Sequence, residues 1–175
     1  GIMMTGWVTD SKDQKRYFNP STGFMQTKWL TLKGKRYYFY SNSGVAACKT
    51  FLTDSKKNTR YFTSACYMLT GWTKNSSNEY RYFETEDGIM AKGFQTLDGK
   101  KYYFNEKGIQ QNGWQKIKGD YYFFQIRNGC YASMVTSRRV NGIYLTKSGE
   151  ARYNSEEKRK LNPVSYTHLR AHETD

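Results

Sequence analysis

Gly93-Phe94-Gln95-Thr96-Leu97-Asp98-Gly99-Lys100-Lys101-Tyr102-Tyr103-Phe104-Asn105 reads as two short strands joined by a tight turn. Asp-Gly between strand-like runs is a strong hairpin signal, because both turn residues accept positive φ. Successive side chains on a strand point to opposite faces, so Tyr103 and Phe104 face opposite ways although both are aromatic. A hairpin with aromatic residues on both faces is marginal alone in water and must bury them on a neighbour.

The neighbours are in the chain itself. The leading aromatic recurs as Trp7, Trp29, Phe51, Trp72, Phe94 and Trp114, at spacings of 22, 22, 21, 22 and 20 residues. Behind it recur Tyr17-Phe18, Tyr38-Phe39, Tyr61-Phe62, Tyr82-Phe83, Tyr103-Phe104 and Tyr122-Phe123. Glycine follows at Gly23, Gly44, Gly88, Gly108, Gly129 and Gly149. A period of this size predicts a stacked array of supersecondary units. The fold class is therefore all-β, a solenoid of stacked β-hairpins built from repeats of about 20 residues.

Repeat 1 runs from Gly6 to Thr27, repeat 2 from Lys28 to Cys48, and repeat 3 from Lys49 to Thr70. Repeat 4 covers Gly71 to Lys92, repeat 5 Gly93 to Asn112, and repeat 6 Gly113 to Ser133. A degenerate seventh extends from Met134 to Tyr153, with Val135 replacing the leading aromatic and Tyr144-Leu145 replacing Tyr-Phe. The turn is tight and glycine-bearing in repeats 2, 5 and 6, and longer and polar in repeats 1, 3 and 4. The Phe of each pair reads as core between hairpins. The Tyr reads as core or as the lining of a groove. The position before the pair holds Arg16, Tyr37, Arg60, Arg81, Tyr102 or Tyr121, residues whose bodies pack while their heads stay wet.

Composition agrees. Aromatic residues make up 17% of the chain while mean hydropathy is −0.89, a pairing that disordered chains, poor in aromatics, do not show. The net charge is +13. It points to an anionic partner (wall teichoic acid, nucleic acid or an acidic glycan) or to a solubilising surface, since Lys and Arg are scattered through every repeat. Cys48, Cys66 and Cys130 fit neither a zinc spacing nor a CxxC redox pair. Cys66 stands where the repeat expects glycine, and pairing with Cys48 is open. No cofactor or metal is expected, and no stretch reads as membrane-inserting.

The opening Gly1-Ile2-Met3-Met4-Thr5-Gly6-Trp7 reads as the tail of one repeat running into the next, so the N-terminus is expected to fall inside an array. Residues 1–153 form the repeat array, and residues 154–163 a charged linker or the start of a helix. Residues 164–175 contain VSYTHLRAHET, which resembles one reading frame of a transposon-type sequencing adapter. They are expected to be read-through and are set aside from the fold. His168 and His172, the only histidines, both lie there.

Gly-Trp, then Gly-Lys-Lys-Tyr-Tyr-Phe, then Gly-Ile-x-x-x-Gly-Trp, repeated in register from Gly1 to Tyr153, resembles the cell-wall-binding (choline-binding) repeat family. That family includes choline-binding proteins, glucan-binding domains of glucosyltransferases and the repetitive oligopeptides of clostridial toxins. The resemblance implies shallow sites between neighbouring hairpins. In choline-binding members two Trp and one Tyr cage a quaternary ammonium by cation–π attraction. The family's second Trp falls just before Tyr-Tyr-Phe, where this chain has Lys15, Arg36, Thr59, Tyr80, Lys101 and Asp120. Three of those are cations that repel choline. Repeat 4 alone keeps three aromatics, Trp72, Tyr80 and Tyr82, and is the expected choline site if there is one.

Candidate ligand contacts are Trp7, Tyr17, Trp29, Tyr38, Trp72, Tyr80, Tyr82, Phe94, Tyr103, Trp114 and Tyr122. Any single one of these also serves as core, because the array needs an aromatic at every period. Together they suit sugar rings, whose apolar faces stack on aromatics while Lys, Arg, Asn and Gln donate to hydroxyls. Weak sites in series gain avidity. Outside the terminal string there is no histidine for a triad or a metal cluster, and no carboxylate pair is fixed for glycoside cleavage. Basic residues interleaved with aromatics can grip single-stranded nucleic acid, yet here the aromatics follow a fold-setting period. A purely structural spacer would show no ligand response.

The sequence therefore reads as a noncatalytic module anchoring a secreted bacterial protein to cell-wall polysaccharide or other surface glycan. Teichoic-acid choline and host glycan are the alternatives. The expected location is extracellular and cell-wall associated, with no nucleic-acid partner and no membrane insertion.

Overall fold

The computed structural model describes residues 4–127 and 131–161. Gly129, Cys130 and the adapter-like residues 164–175 lie outside the described residues. In chain order the strands are β1 (Gly6–Thr9), β2 (Lys15–Phe18), β3 (Lys28–Leu32), β4 (Lys35–Phe39), β5 (Thr50–Thr53) and β6 (Thr59–Phe62). They continue as β7 (Gly71–Lys74), β8 (Tyr80–Phe83), β9 (Gly93–Leu97), β10 (Lys100–Phe104), β11 (Gly113–Ile117) and β12 (Asp120–Arg127). The last are β13 (Tyr131–Met134), β14 (Arg138–Val140), β15 (Ile143–Leu145) and β16 (Ala151–Arg152). Repeats 1 to 5 each form one two-stranded sheet, and the remainder forms two three-stranded sheets, β11-β12-β13 and β14-β15-β16. The all-β class and the hairpin repeat are as the period requires.

The chain divides into two compact units. The first is Gly1–Trp72 with Tyr82–Met90, and the second is Thr73–Arg81 with Ala91–Asp175.

In the first unit the leading aromatic faces the Tyr of the pair across each hairpin: Trp7 opposite Tyr17, Trp29 opposite Tyr38, Phe51 opposite Tyr61. The Phe of the pair, one residue on, turns to the other face and is buried at Phe39, Phe62 and Phe83. Each step of the stack adds the same backbone bond. The amide after the glycine turn of one repeat donates to a β2-type strand of the repeat before it: Ala46 N to Lys15 O, Met68 N to Arg36 O, and Met90 N to Thr59 O, at 2.7–2.8 Å. Gly88 is favoured by its backbone, and a side chain there would also force Met68 to shift. Its φ is +68°, and an added Cβ would stand 2.6 Å from Met68 Sδ of the preceding repeat.

Cys66 occupies that same turn position with φ +68°, which the sequence marked as a glycine site. Its Sγ is bonded to Cys48. The pair left open by the sequence is thus a disulfide in this structure. Cys66 packs with Phe39 and Ala46, with Cys48 against the same cluster.

In the second unit Phe94 lies opposite Tyr103, and Phe104 is buried like Phe39, Phe62 and Phe83. Repeat 6 departs from the sequence reading. Trp114 lies opposite Phe123, not Tyr122, and Phe124 is the buried residue that follows. The recurring pair there is Phe123-Phe124. The turn shows why: Gly119-Asp120-Tyr121-Tyr122-Phe123-Phe124 has the same length as Gly99-Lys100-Lys101-Tyr102-Tyr103-Phe104, so the register is set from the glycine. Repeat 7 is also corrected. Arg139, not Val135, takes the leading position, opposite Tyr144. Val135 instead donates its amide to Phe123 O, as Gln111 does to Tyr103 O one repeat earlier.

The C-terminal core joins Trp114, Phe123, Val135, Ile143, Leu145, Ala151 and Leu161. Leu161 comes from a single 3-10 turn, Glu157–Leu161, whose charged residues face out while Leu161 is buried. The described part of the segment read as a charged linker or the start of a helix thus holds this turn, with Leu161 in the last core cluster.

Candidate functional site

The register places every candidate. On a hairpin, directly opposed side chains lie on the same face close enough for their rings to touch. Trp7 meets Tyr17 at 5.4 Å between ring centroids, Trp29 meets Tyr38 at 5.2 Å, Trp72 meets Tyr82 at 5.3 Å, and Phe94 meets Tyr103 at 5.1 Å. All four pairs are edge-to-face, the arrangement favoured by ring quadrupoles.

The leading aromatic also reaches forward. Trp7 lies 5.2 Å from Tyr37 and 5.6 Å from Phe39 of repeat 2. Trp29 lies 5.9 Å from Phe62 of repeat 3, with Arg60 5.8 Å from its ring. Phe94 lies 5.1 Å from Tyr122 and 6.3 Å from Phe124 of repeat 6. Each of these aromatics thus bridges its own Tyr and the opposite face of the next hairpin, at residues two apart on one strand. Tyr122 belongs to the Phe94 cluster, a change of role from the sequence reading.

Exposure separates the surface rings from the core. Trp7, Trp29, Phe51 and Phe94 remain 38–49% exposed although their rings are packed on one side. Trp114 is only 2% exposed and its indole Nε1–H has no partner among the described residues. Trp114 is a core residue, and the expectation that it touches ligand is corrected. It is buried because Val135, Ile143, Leu145 and Leu161 cover it.

Cations sit where a cage would hold its ligand. Arg36 precedes Tyr38 by two residues and so shares its face. Its Cζ stands 4.6 Å from the Trp29 ring centroid. Lys101, at the same place in repeat 5, puts Nζ 5.9 Å from the Phe94 ring. In repeat 4, Trp72 and Tyr82 are in the first unit and Tyr80 is in the second. Tyr80 there meets Tyr131 at 5.5 Å and carries Lys74 Nζ 5.5 Å from its ring. With the corrected register the equivalent residue of repeat 6 is Tyr121, not Asp120, and Lys116 Nζ stands 5.7 Å from it. The chain therefore supplies its own cations to four of these aromatic faces.

Arginine at the variable position does something else. Where the turn is long, Arg16, Arg60 and Arg81 clamp it. Asp10 Oδ1 accepts from the amides of Lys12 and Gln14 while its Oδ2 pairs with Arg16 at 2.8 Å. Asp54 repeats this with Lys56, Asn58 and Arg60, the ion pair being 3.1 Å. The same guanidiniums donate Nε–H to loop carbonyls of the following repeat: Arg16 to Ser43 and Arg60 to Asp87. The Arg16 guanidinium, with the Gln14 and Lys12 amides, holds Asp10 below its ordinary carboxylate range. Asp54 is likewise lowered, first by the Asn58 amide and then by Arg60. Tyr122 is pushed the other way, mainly by burial and then by the charges of Glu150 and Asp120.

Sequence reading missed Tyr37, Arg36 and Arg60 as site residues. The signal was present: the period places residue pairs such as Tyr37-Phe39 one repeat beyond each leading aromatic.

Comparison with known proteins gives consistent relatives. A choline-binding repeat model matches residues 91–138, and a cell wall binding repeat model matches residues 27–46. Glucosyltransferase-S of Streptococcus mutans is 36% identical over 101 residues, 57% of this chain and 7% of that protein. Glucosyltransferase-I of Streptococcus downei is 32% identical over 96 residues, 53% of this chain and 6% of that protein. Among solved structures, CbpJ of Streptococcus pneumoniae aligns with TM-score 0.74 and 28% identity over 85% of this chain and 48% of its own. Choline binding protein F of the same species aligns with TM-score 0.75 and 26% identity over 86% of this chain and 48% of its own. The chain spans about half the length of these structural relatives and a small fraction of the glucosyltransferases.

Proposed function

We propose that this chain, whose repeats belong to the choline-binding repeat family, is a noncatalytic module that attaches a secreted bacterial protein to surface glycan. One observation carries the reading. The leading aromatics keep an exposed face, yet chain-derived Arg or Lys stands at Trp29, Tyr80 and Phe94 where a cage would hold a quaternary ammonium. An added cation must displace a like charge there. A sugar instead stacks on the ring and accepts hydrogen bonds from the same Arg and Lys.

Cell-wall polysaccharide is the proposed partner, and the proposed location is the extracellular cell surface. The glucosyltransferase relatives support a catalytic domain elsewhere in the parent protein. A choline reading has one observation in its favour: Trp7 has Tyr17 and Tyr37 around it and no cation at its ring among the described residues. That observation favours repeat 1 for a choline site, whereas the sequence pointed to repeat 4.

The reading is tested by retention on purified Gram-positive cell walls. Trp7→Ala with Phe94→Ala is expected to weaken retention by about tenfold or more while the far-UV spectrum is unchanged, because each removes one stacking surface and the sites act in series. Retention equal to that of the unsubstituted chain would overturn it. Loss on walls but retention on a host-type oligosaccharide array would redirect the partner to host glycan.

A further inference from the structure

We propose that the pocket beside Trp29 takes the carboxylate of an acidic sugar, such as a uronic acid residue of the bound glycan. The inference rests on the glycan reading above and names the sugar class for one of its sites. The pocket lies wholly within the first unit and has a volume of about 400 Å³, in the range of small-molecule sites. Trp29, Tyr38, Tyr40, Arg36, Arg60 and Asp54 line it.

Its charges are not equivalent. Arg60 is committed, since it pairs with Asp54 at 3.1 Å and donates Nε–H to Asp87 O at 2.8 Å. Arg36 is different. Among the described residues its one side-chain hydrogen bond is a long contact of 3.5 Å from Nη1 to Glu86 O, and none of their carboxylates lies within ion-pair distance of it. Its Cζ stands 4.6 Å from the Trp29 ring centroid, and its N–H groups make no shorter hydrogen bond among the described residues.

Two guanidiniums and one carboxylate leave the pocket one positive charge in excess. That balance suits a monoanion. A guanidinium fork matches the two oxygens of a carboxylate in one plane, and charge-assisted bonds of this kind are about twice as strong as neutral ones. The surrounding tyrosine hydroxyls and the Trp29 edge give the ring of the same sugar something to donate to and pack on. Lys15 and Lys101 occupy the equivalent strand position in repeats 1 and 5 but carry no planar fork.

The test is calorimetric titration of the full chain with a trigalacturonate and with a neutral trisaccharide of the same linkage. Arg36→Gln is compared with Lys12→Gln, which removes the same charge at an exposed loop. The expected result is tighter binding of the acidic sugar by the unsubstituted chain, weakened about tenfold or more by Arg36→Gln and little changed by Lys12→Gln. The neutral sugar should bind both variants alike. Equal loss in the two variants would mean bulk charge attraction and overturn the site. Neutral sugar bound as well as acidic sugar would also overturn it while leaving the glycan reading intact. Binding of neither sugar, together with no retention on walls, would overturn both.

Discussion

Phe62→Ala should destabilise the first unit by about 3–5 kcal/mol, the usual loss for deleting a buried aromatic ring. Phe62 is fully buried, in a cluster with Ala47 and Met68 and with Tyr38, Tyr40 and Leu52 against it. It also supports Trp29, whose ring lies 5.9 Å away on the preceding hairpin. A hairpin repeat has little core of its own, so most of its stability resides in such contacts between neighbours. Phe51→Ala is the internal control. Phe51 belongs to the same repeat but is 49% exposed, and its loss should be well under half as large. Urea unfolding followed by tryptophan emission reads both variants. Similar midpoints for the two would contradict the assignment of Phe62 to the core and Phe51 to the surface.

Reduction of Cys48–Cys66 should lower the stability of the same unit by about 3 kcal/mol, the chain-entropy value for a loop of this size. The residues are 18 apart. Dithiothreitol is expected to shift the urea midpoint of the unsubstituted chain, and to leave that of the Cys48→Ser, Cys66→Ser double variant where it already is. Cys48→Ala with Cys66→Gly should recover part of the loss, on the order of 1 kcal/mol, because residue 66 has φ +68° and glycine holds that conformation without a Cβ clash. An unsubstituted chain indifferent to reductant would contradict the link.

That disulfide also shows how far the sequence could be read. Position 66 was recognisable as a glycine turn, but its pairing with Cys48 stayed open. The missing clue lies one repeat back. Met25 lies where a Cβ on Gly44 would stand, and Met68 where one on Gly88 would stand. At the equivalent place before residue 66 stands Ala46, which is smaller, and the room it leaves is filled by Cys66 beside Cys48. A Met-with-Gly pair has been exchanged for an Ala-with-Cys pair. Two substitutions a repeat apart make sense together, and neither does alone.

The hairpin fold was legible because its signals are local: turn glycines, alternation and period. The candidate site was less so, because it is assembled across repeats. Trp7 and Tyr37 are 5.2 Å apart in space but in different hairpins. Tyr122 illustrates the second difficulty. Four aromatics in a row, Tyr121 to Phe124, contain Tyr-Phe only at Tyr122-Phe123, yet the pair in register is Phe123-Phe124 one residue on, as the distance from Gly119 sets it. Trp114 illustrates the third. It keeps the consensus leading aromatic, yet the atypical last repeat covers it and makes it core.

Glycan attachment through aromatics already faced by internal cations is tested most directly by choline competition. The full chain is bound to purified Gram-positive cell walls and washed with excess choline. Glycan recognition predicts that the protein stays on the wall. Release by choline, abolished by Trp7→Ala, would contradict it and make the repeat 1 cluster a choline site.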